Sequence, residues 1–163
     1  KKINQKILNE FSRTLGSDLR LFFYNQGYLQ GINSIIKSKK KFNFNIVLIY
    51  PKLKCSTKEI YSKLKNVSPK ERYKIATFSN KKLLINYLIN SKNDLQVVVE
   101  KKYPKIKRIL NNISLQKGCC FSRMTGSGSV CYGVFINLNS AKKARINLKK
   151  IYPKFWVSIA KTV

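Results

Sequence analysis

The sequence predicts an α+β fold in which helices cover one face of an antiparallel sheet, and three observations carry that expectation. The Ile- and Val-rich run from Phe42 to Tyr50 is a clear strand pattern, followed by helical patterns that continue to about residue 113. The C-terminal part then closes in the order strand, strand, helix, strand. With 163 residues and 44% hydrophobic content, the chain can bury the core of one domain, or of one domain and part of another.

Element by element, Ile3, Ile7, Leu8, Phe11 and Leu15 recur at helical spacing, and Gly16 is placed to end that helix near Leu15. The pattern is already under way at Lys1, with neither an initiator Met nor an N-cap ahead of it, so a truncated start is expected. Leu19 to Tyr24 is short and apolar. Tyr28 to Ile36, after Gly27, suits a strand pair or irregular hairpin, and Pro51 stops the strand from Phe42. Ser56 or Thr57 with Glu59 opens a helix through about Lys65, and the polar stretch Asn66 to Asn80 reads as a loop. Leu83, Leu84, Tyr87 and Leu88 mark a helix from Lys81, Asp94 to Lys102 a second, and Pro104 starts a third through about Ile113. Gly118–Ser122 should pair with Val130–Asn137, Ser140–Ile151 should be a helix, and Phe155–Ala160 a last strand. From Phe42 onward this order suits a ferredoxin-like arrangement with extra helices.

The composition excludes several chemistries. A formal charge of +28, from 34 Lys plus Arg against six Asp plus Glu, would ordinarily point to nucleic acid. The excess is mostly Lys, scattered among many Asn and Ile as in AT-rich coding sequence, and Arg, the preferred planar reader of phosphates and bases, is rare. A nucleic-acid partner is therefore not expected, and Lys39-Lys40-Lys41 reads as a solvated loop. The absence of His excludes Ser–His and Cys–His catalysis and most zinc sites. Cys55, Cys119, Cys120 and Cys131 lack paired metal or disulfide spacing and are expected to be free thiols, and no metal-ligand set is expected. No apolar run approaches a membrane span and no signal-peptide pattern appears, which suggests a soluble, reducing, cytoplasmic setting.

The stretch richest in chemistry is Ser122-Arg123-Met124-Thr125-Gly126-Ser127-Gly128-Ser129-Val130-Cys131-Tyr132-Gly133. Gly126 and Gly128 allow backbone angles that let consecutive N–H groups converge on an anion, and Thr125, Ser127 and Ser129 add hydroxyl donors. Two glycines between apolar runs also describe an ordinary hairpin turn. Asp18, in Leu15-Gly16-Ser17-Asp18-Leu19-Arg20, stands at a turn where an acid often caps a helix. Thr57 and Tyr61 are four residues apart and share a helix face, with Tyr61 either a core residue or an aromatic surface for a ligand.

The glycine stretch resembles the third signature motif of the GHMP kinases, small-molecule kinases of galactose, homoserine, mevalonate and phosphomevalonate. Arg123 to Ser129 followed by Cys131-Tyr132-Gly133 is most similar to the version in the 4-diphosphocytidyl-2-C-methyl-D-erythritol kinases of non-mevalonate isoprenoid synthesis. Further similarities run in the family's order from about Leu15 to Val163. Gly16-Ser17-Asp18 resembles the segment that supplies the family's catalytic base, which makes Asp18 the implied base, although Arg20 replaces the usual proline. Cys55 to Tyr61 resembles the segment lining the cytidine pocket, so Thr57 and Tyr61 are the implied substrate contacts. Asn93-Asp94-Leu95 and Tyr103-Pro104-Lys105-Ile106 resemble two further signatures, where Asn93 or Asp94 is expected to cap a helix. Tyr152-Pro153-Lys154-Phe155-Trp156-Val157 is similar to the ending of many alphaproteobacterial members, with one of Phe155 and Trp156 expected to be buried in a strand and the other exposed. Gly31-Ile32-Asn33-Ser34 departs from the common Gly-x-Gly-Glu.

The resemblance implies residues 1–40 as the end of a GHMP N-terminal domain and 41–163 as the C-terminal domain. It implies ATP and Mg²⁺ as cofactors, a small-molecule substrate carrying cytidine diphosphate, and a bacterial cytoplasmic enzyme. The family's Gly-rich ATP loop has no counterpart among these residues, so the 163-residue chain alone is expected to be inactive. Another GHMP kinase and a basic RNA-binding α+β module remain as alternatives, and the oligomeric state is left open.

Overall fold

The structure, a computed structural model, describes residues 4–16, 23, 26–30, 34–38, 40–65 and 78–162. Asp18, Arg20, most of the Leu19–Tyr24 segment, Gly31-Ile32-Asn33 and nearly all of the polar stretch after Lys65 lie outside the described residues. The chain forms two compact units, one of residues 1–42, 71–84 and 163 and the other of residues 43–70 and 85–162.

In the first unit, helix α1 (Gln5–Thr14) starts at Asn4, whose side chain accepts from the Lys6 N–H. This corrects the expectation that no N-cap precedes the first helix. The cap was missed because Asn4 sits within the apolar periodicity that begins at Ile3. Strands β1 (Gly27–Gln30) and β2 (Ser34–Lys37) form the expected antiparallel hairpin. Its base is held by Gln26, whose amide donates to the Phe42 carbonyl at 2.6 Å and accepts from the Phe42 N–H at 2.9 Å.

The second unit is built on a four-stranded antiparallel sheet of β3 (Asn45–Tyr50), β4 (Cys119–Met124), β5 (Cys131–Phe135) and β6 (Trp156–Lys161), ordered β4-β5-β3-β6. This is the ferredoxin-like order, with β3 central between β5 and β6. Alternation along β3 sends Val47 and Ile49 into the core, both fully buried.

Helices α2 (Thr57–Ser62), α3 (Lys81–Asn90), α4 (Asp94–Lys102), α5 (Pro104–Ser114) and α6 (Leu138–Ile151) complete the fold. Helix α5 buries Ile106, Ile109, Leu110 and Ile113, an i, i+3, i+4, i+7 stripe worth about 1.5–3 kcal/mol per side chain. Helix α6 packs on the sheet through the small Ala141 and Ala144 and through Leu148. Gly133 in β5 lets α5 come this close, since a Cβ there would lie 2.3 Å from Ile113 Cγ2.

Some boundaries differ from the sequence reading. β3 starts at Asn45 rather than Phe42, and α2 ends at Ser62 rather than near Lys65. Helix α6 starts two residues earlier than expected because Asn137 caps it, accepting from the Ser140 N–H. Phe155 precedes β6 and is half-buried, stacked on Tyr152 with ring centroids 5.0 Å apart, while Trp156 is exposed.

Candidate active site

The loop between β4 and β5 is a hairpin turn with a specific internal structure. Gly126 (φ +42°) and Gly128 (φ +92°) both occupy the left-handed region that favours glycine. Two loop amides are spent within it, Thr125 N–H donating to the Val130 carbonyl and Gly128 N–H to the Thr125 carbonyl, each at 2.9 Å. The N–H groups of Gly126, Ser127 and Ser129 have no acceptor among the described residues. A turn that is exposed at Thr125 and Gly126 and carries several uncommitted amides can hold an anion.

The hydroxyls behave differently from the expectation that all three serve as anion donors. Ser129 is buried, and its Oγ donates to the Leu53 carbonyl at 2.6 Å, tying the loop to the segment ahead of α2. Thr125 Oγ1 makes a long 3.4 Å bond to the Val130 carbonyl. Ser127 Oγ lies 2.9 Å from Thr57 Oγ1. A hydroxyl pair uses one hydrogen between its members, so the other remains available to a ligand.

Helix α2 presents the second group of expected residues. Ser56 is the N-cap, its Oγ accepting from the Glu59 N–H, which leaves Thr57 in the first turn with its hydroxyl on the loop. Tyr61 is 58% exposed, so of the two roles left open for it the core one does not hold; the buried residue of α2 is Ile60. The structure thus brings Thr57 and the glycine loop into contact and leaves the Tyr61 ring open on the same helix. Asp18 lies outside the described residues.

Electrostatics steady this helix. Glu59 accepts from Lys63 at 2.6 Å and from Lys102 of α4. Hydrogen bonds from Lys102 and then Lys63 hold its carboxyl down at about 2, and Glu59 in turn raises Lys102. Beneath the loop, burial pushes the Cys131 thiol up to about 12 and also raises Cys55, so neither is an activated nucleophile. The four cysteines are free, and among the described residues no three His, Cys, Asp or Glu side chains group to hold a metal.

Two residues that the sequence reading left without a site role, Asn93 and Gln96, hold the loop and its entry, and a third, Arg123, ties the strand entering it to α3. Asn93 caps α4, accepting from the Leu95 N–H at 3.1 Å, and its amide also donates to the carbonyls of Met124 (3.0 Å) and Gly126 (2.8 Å). Gln96 Oε1 accepts from the Met124 N–H at 3.0 Å. Arg123 donates to the carbonyls of Leu88 (2.6 Å) and Ser91 (2.7 Å), satisfying the end of α3. The Asn-Asp-Leu spelling marked a cap but could not reveal partners 31 and 33 residues away.

Comparison with known proteins bears on the family and the fold. Residues 78–154 match the family model described as GHMP kinases C terminal. The chain is 34% identical over 160 residues to the 4-diphosphocytidyl-2-C-methyl-D-erythritol kinase of Wolbachia pipientis wMel, spanning 96% of this chain and 55% of that protein. It is 33% identical over 163 residues to the kinase of the same name from Pelagibacter ubique (strain HTCC1062), spanning 99% and 57%. The chain therefore spans about half the length of the curated relatives it matches. Its fold matches a crystal structure of 4-(cytidine 5'-diphospho)-2C-methyl-D-erythritol kinase with a TM-score of 0.68 at 19% identity, over 97% of this chain and 57% of that one. A homoserine kinase from Cytophaga hutchinsonii ATCC 33406 matches with a TM-score of 0.52 at 14% identity, over 80% and 44%.

Proposed function

The chain belongs to the GHMP kinases through a C-terminal domain of that family, and from this premise we propose that it is the C-terminal part of a 4-diphosphocytidyl-2-C-methyl-D-erythritol kinase. The whole enzyme transfers the ATP γ-phosphate to the 2-hydroxyl of its cytidine diphosphate-linked substrate. Residues 1–40 form the end of its N-terminal domain, residues 41–163 its C-terminal domain, and it works in the bacterial cytoplasm. The observation that carries the site reading is the trio of uncommitted amides in the Thr125–Ser129 loop beside Thr57.

In this reading Gly126, Ser127 and Ser129 hold phosphate oxygens through backbone N–H groups, with Gly128 setting the turn and the Ser127–Thr57 pair offering one hydroxyl hydrogen. Thr57 and the exposed Tyr61 face the cytidine side, the ring stacking on the base. Asp18 takes the proton from the attacking hydroxyl. Bound Mg²⁺ would neutralise the phosphates; with no grouped ligand set among the described residues, phosphate oxygens would supply much of its coordination. The 163 residues contain no counterpart of the family's Gly-rich ATP loop, so this chain alone should not turn over ATP.

The test is ATP-dependent phosphorylation by the chain expressed with its adjoining upstream coding sequence, alongside Asp18→Asn. The reading expects a product phosphorylated at the 2-hydroxyl and a rate about 10²–10⁴-fold lower for Asp18→Asn. Full activity in the variant would remove Asp18 from the mechanism, and turnover by the 163-residue chain alone would overturn the assignment of ATP binding elsewhere.

A further inference from the structure

We propose that Asn93 is a positioning residue that aims the Ser127 N–H at the bound anion, an inference that rests on reading the Thr125–Ser129 loop as a phosphate cradle. The geometry follows from one peptide plane. Gly126 C=O and Ser127 N–H belong to a single trans peptide and point in opposite directions. Asn93 Nδ2 binds that carbonyl at 2.8 Å, so the N–H on the opposite edge is directed away from α4. This N–H is one of the uncommitted amides of the loop.

The same amide nitrogen binds the Met124 carbonyl at 3.0 Å, while Gln96 Oε1 takes the Met124 N–H at 3.0 Å. Gln96 is itself oriented by its own amide, which donates to Glu100 Oε1 at 2.8 Å. The first turn of α4 therefore grips the entry to the loop at both edges of Met124 and again at Gly126. Asn93 Oδ1, accepting from Leu95 N–H, fixes which face of the amide is turned to the loop. Gly126, at φ +42° with open space where a Cβ would stand, can turn its carbonyl to Asn93 without steric cost.

A capping role alone makes a different prediction. Asp and Ser are both good N-caps, so a residue that only caps would tolerate either with little change. The clamp needs the –NH₂ group. Asn93→Asp places an acceptor against two carbonyls, and Asn93→Ser leaves them unbound.

The experiment measures both variants in the full-length kinase, with Tm as a control, and follows the Ser127 amide by ¹H–¹⁵N NMR as inorganic pyrophosphate is added. We expect kcat to fall about a hundredfold in both variants, as for a misplaced catalytic group, with KM for ATP nearly unchanged. The wild-type Ser127 shift on pyrophosphate addition should disappear in both. Wild-type kcat and a wild-type Ser127 response in either folded variant would overturn the clamp and leave the phosphate-loop reading standing. Wild-type protein in which pyrophosphate moves none of the loop amides would overturn the phosphate-loop reading itself, and the clamp with it. Should Asn93→Asp fail to fold, Asn93→Ser decides alone, since it keeps the cap and introduces no repulsion.

Discussion

Thr57 Oγ1 on the first turn of α2 lies 2.9 Å from Ser127 Oγ on the glycine loop, joining residues 70 positions apart at the one point where helix and loop hydroxyls meet. Thr57→Val keeps the shape and removes the hydroxyl. In the proposed site the Thr57 hydroxyl serves the cytidine-linked substrate, so its removal should raise KM for that substrate about fivefold, matching ~1 kcal/mol, and loss of the bond to Ser127 should cost about 1 kcal/mol of stability. Steady-state kinetics checks this; an unchanged KM would mean that the hydroxyl pair plays no part in binding.

Gly126 and Gly128 should respond unequally to alanine. Both have positive φ, but a Cβ on Gly126 meets nothing within 4 Å, whereas one on Gly128 lies 2.9 Å from Met124 Sδ and 3.3 Å from Cys55 Sγ. Gly126→Ala should cost about 1 kcal/mol of stability and Gly128→Ala about 2–4 kcal/mol, since strain and overpacking add. Urea unfolding of the two variants gives the order directly.

Gly133→Ala tests the approach of α5 to β5. The new methyl would meet Ile113 Cγ2, and the expected loss is about 1–3 kcal/mol. Ile113→Leu removes the branch at Cβ. In that background the cost of Gly133→Ala should shrink, a non-additivity that a double-mutant cycle measures.

Much of the fold was legible because local signals agreed. Asp94 to Lys102 carries an N-cap before it and lysines in its last turn, and Pro104 opens α5 with the missing N–H at a position that needs none. The Ile and Val alternation of β3 and the order of the closing elements were enough for the sheet. The site was only half legible. Glycine and hydroxyl spelling marked the loop, yet it could not tell that Ser129 spends its hydroxyl on Leu53 or that Asn93 reaches past its cap, because those partners are set by tertiary packing. Asn137 was passed over as a cap because the expected strand Val130–Asn137 included it, whereas β5 ends at Phe135.

Glu59 gives the second unit a pH dependence of known sign. Its folded pKa, about 2, is below its ordinary 4.5, so its contribution is complete above about pH 4.5 and is lost as the pH falls from there toward 2. Wild-type protein should lose stability across that window more steeply than Glu59→Gln. The pair is solvent-accessible, so the difference should narrow in high salt. Denaturant midpoints taken across the window with and without salt provide the check.

Under the proposed function this chain completes a kinase for a cytidine diphosphate-linked substrate. The most direct measurement sets 4-diphosphocytidyl-2-C-methyl-D-erythritol beside homoserine as phosphate acceptors for the full-length enzyme, with CDP as a competitor. The proposed function requires ATP-dependent phosphorylation of the cytidine-linked substrate alone, inhibited competitively by CDP. Turnover of homoserine in its place, or of neither acceptor, would contradict it.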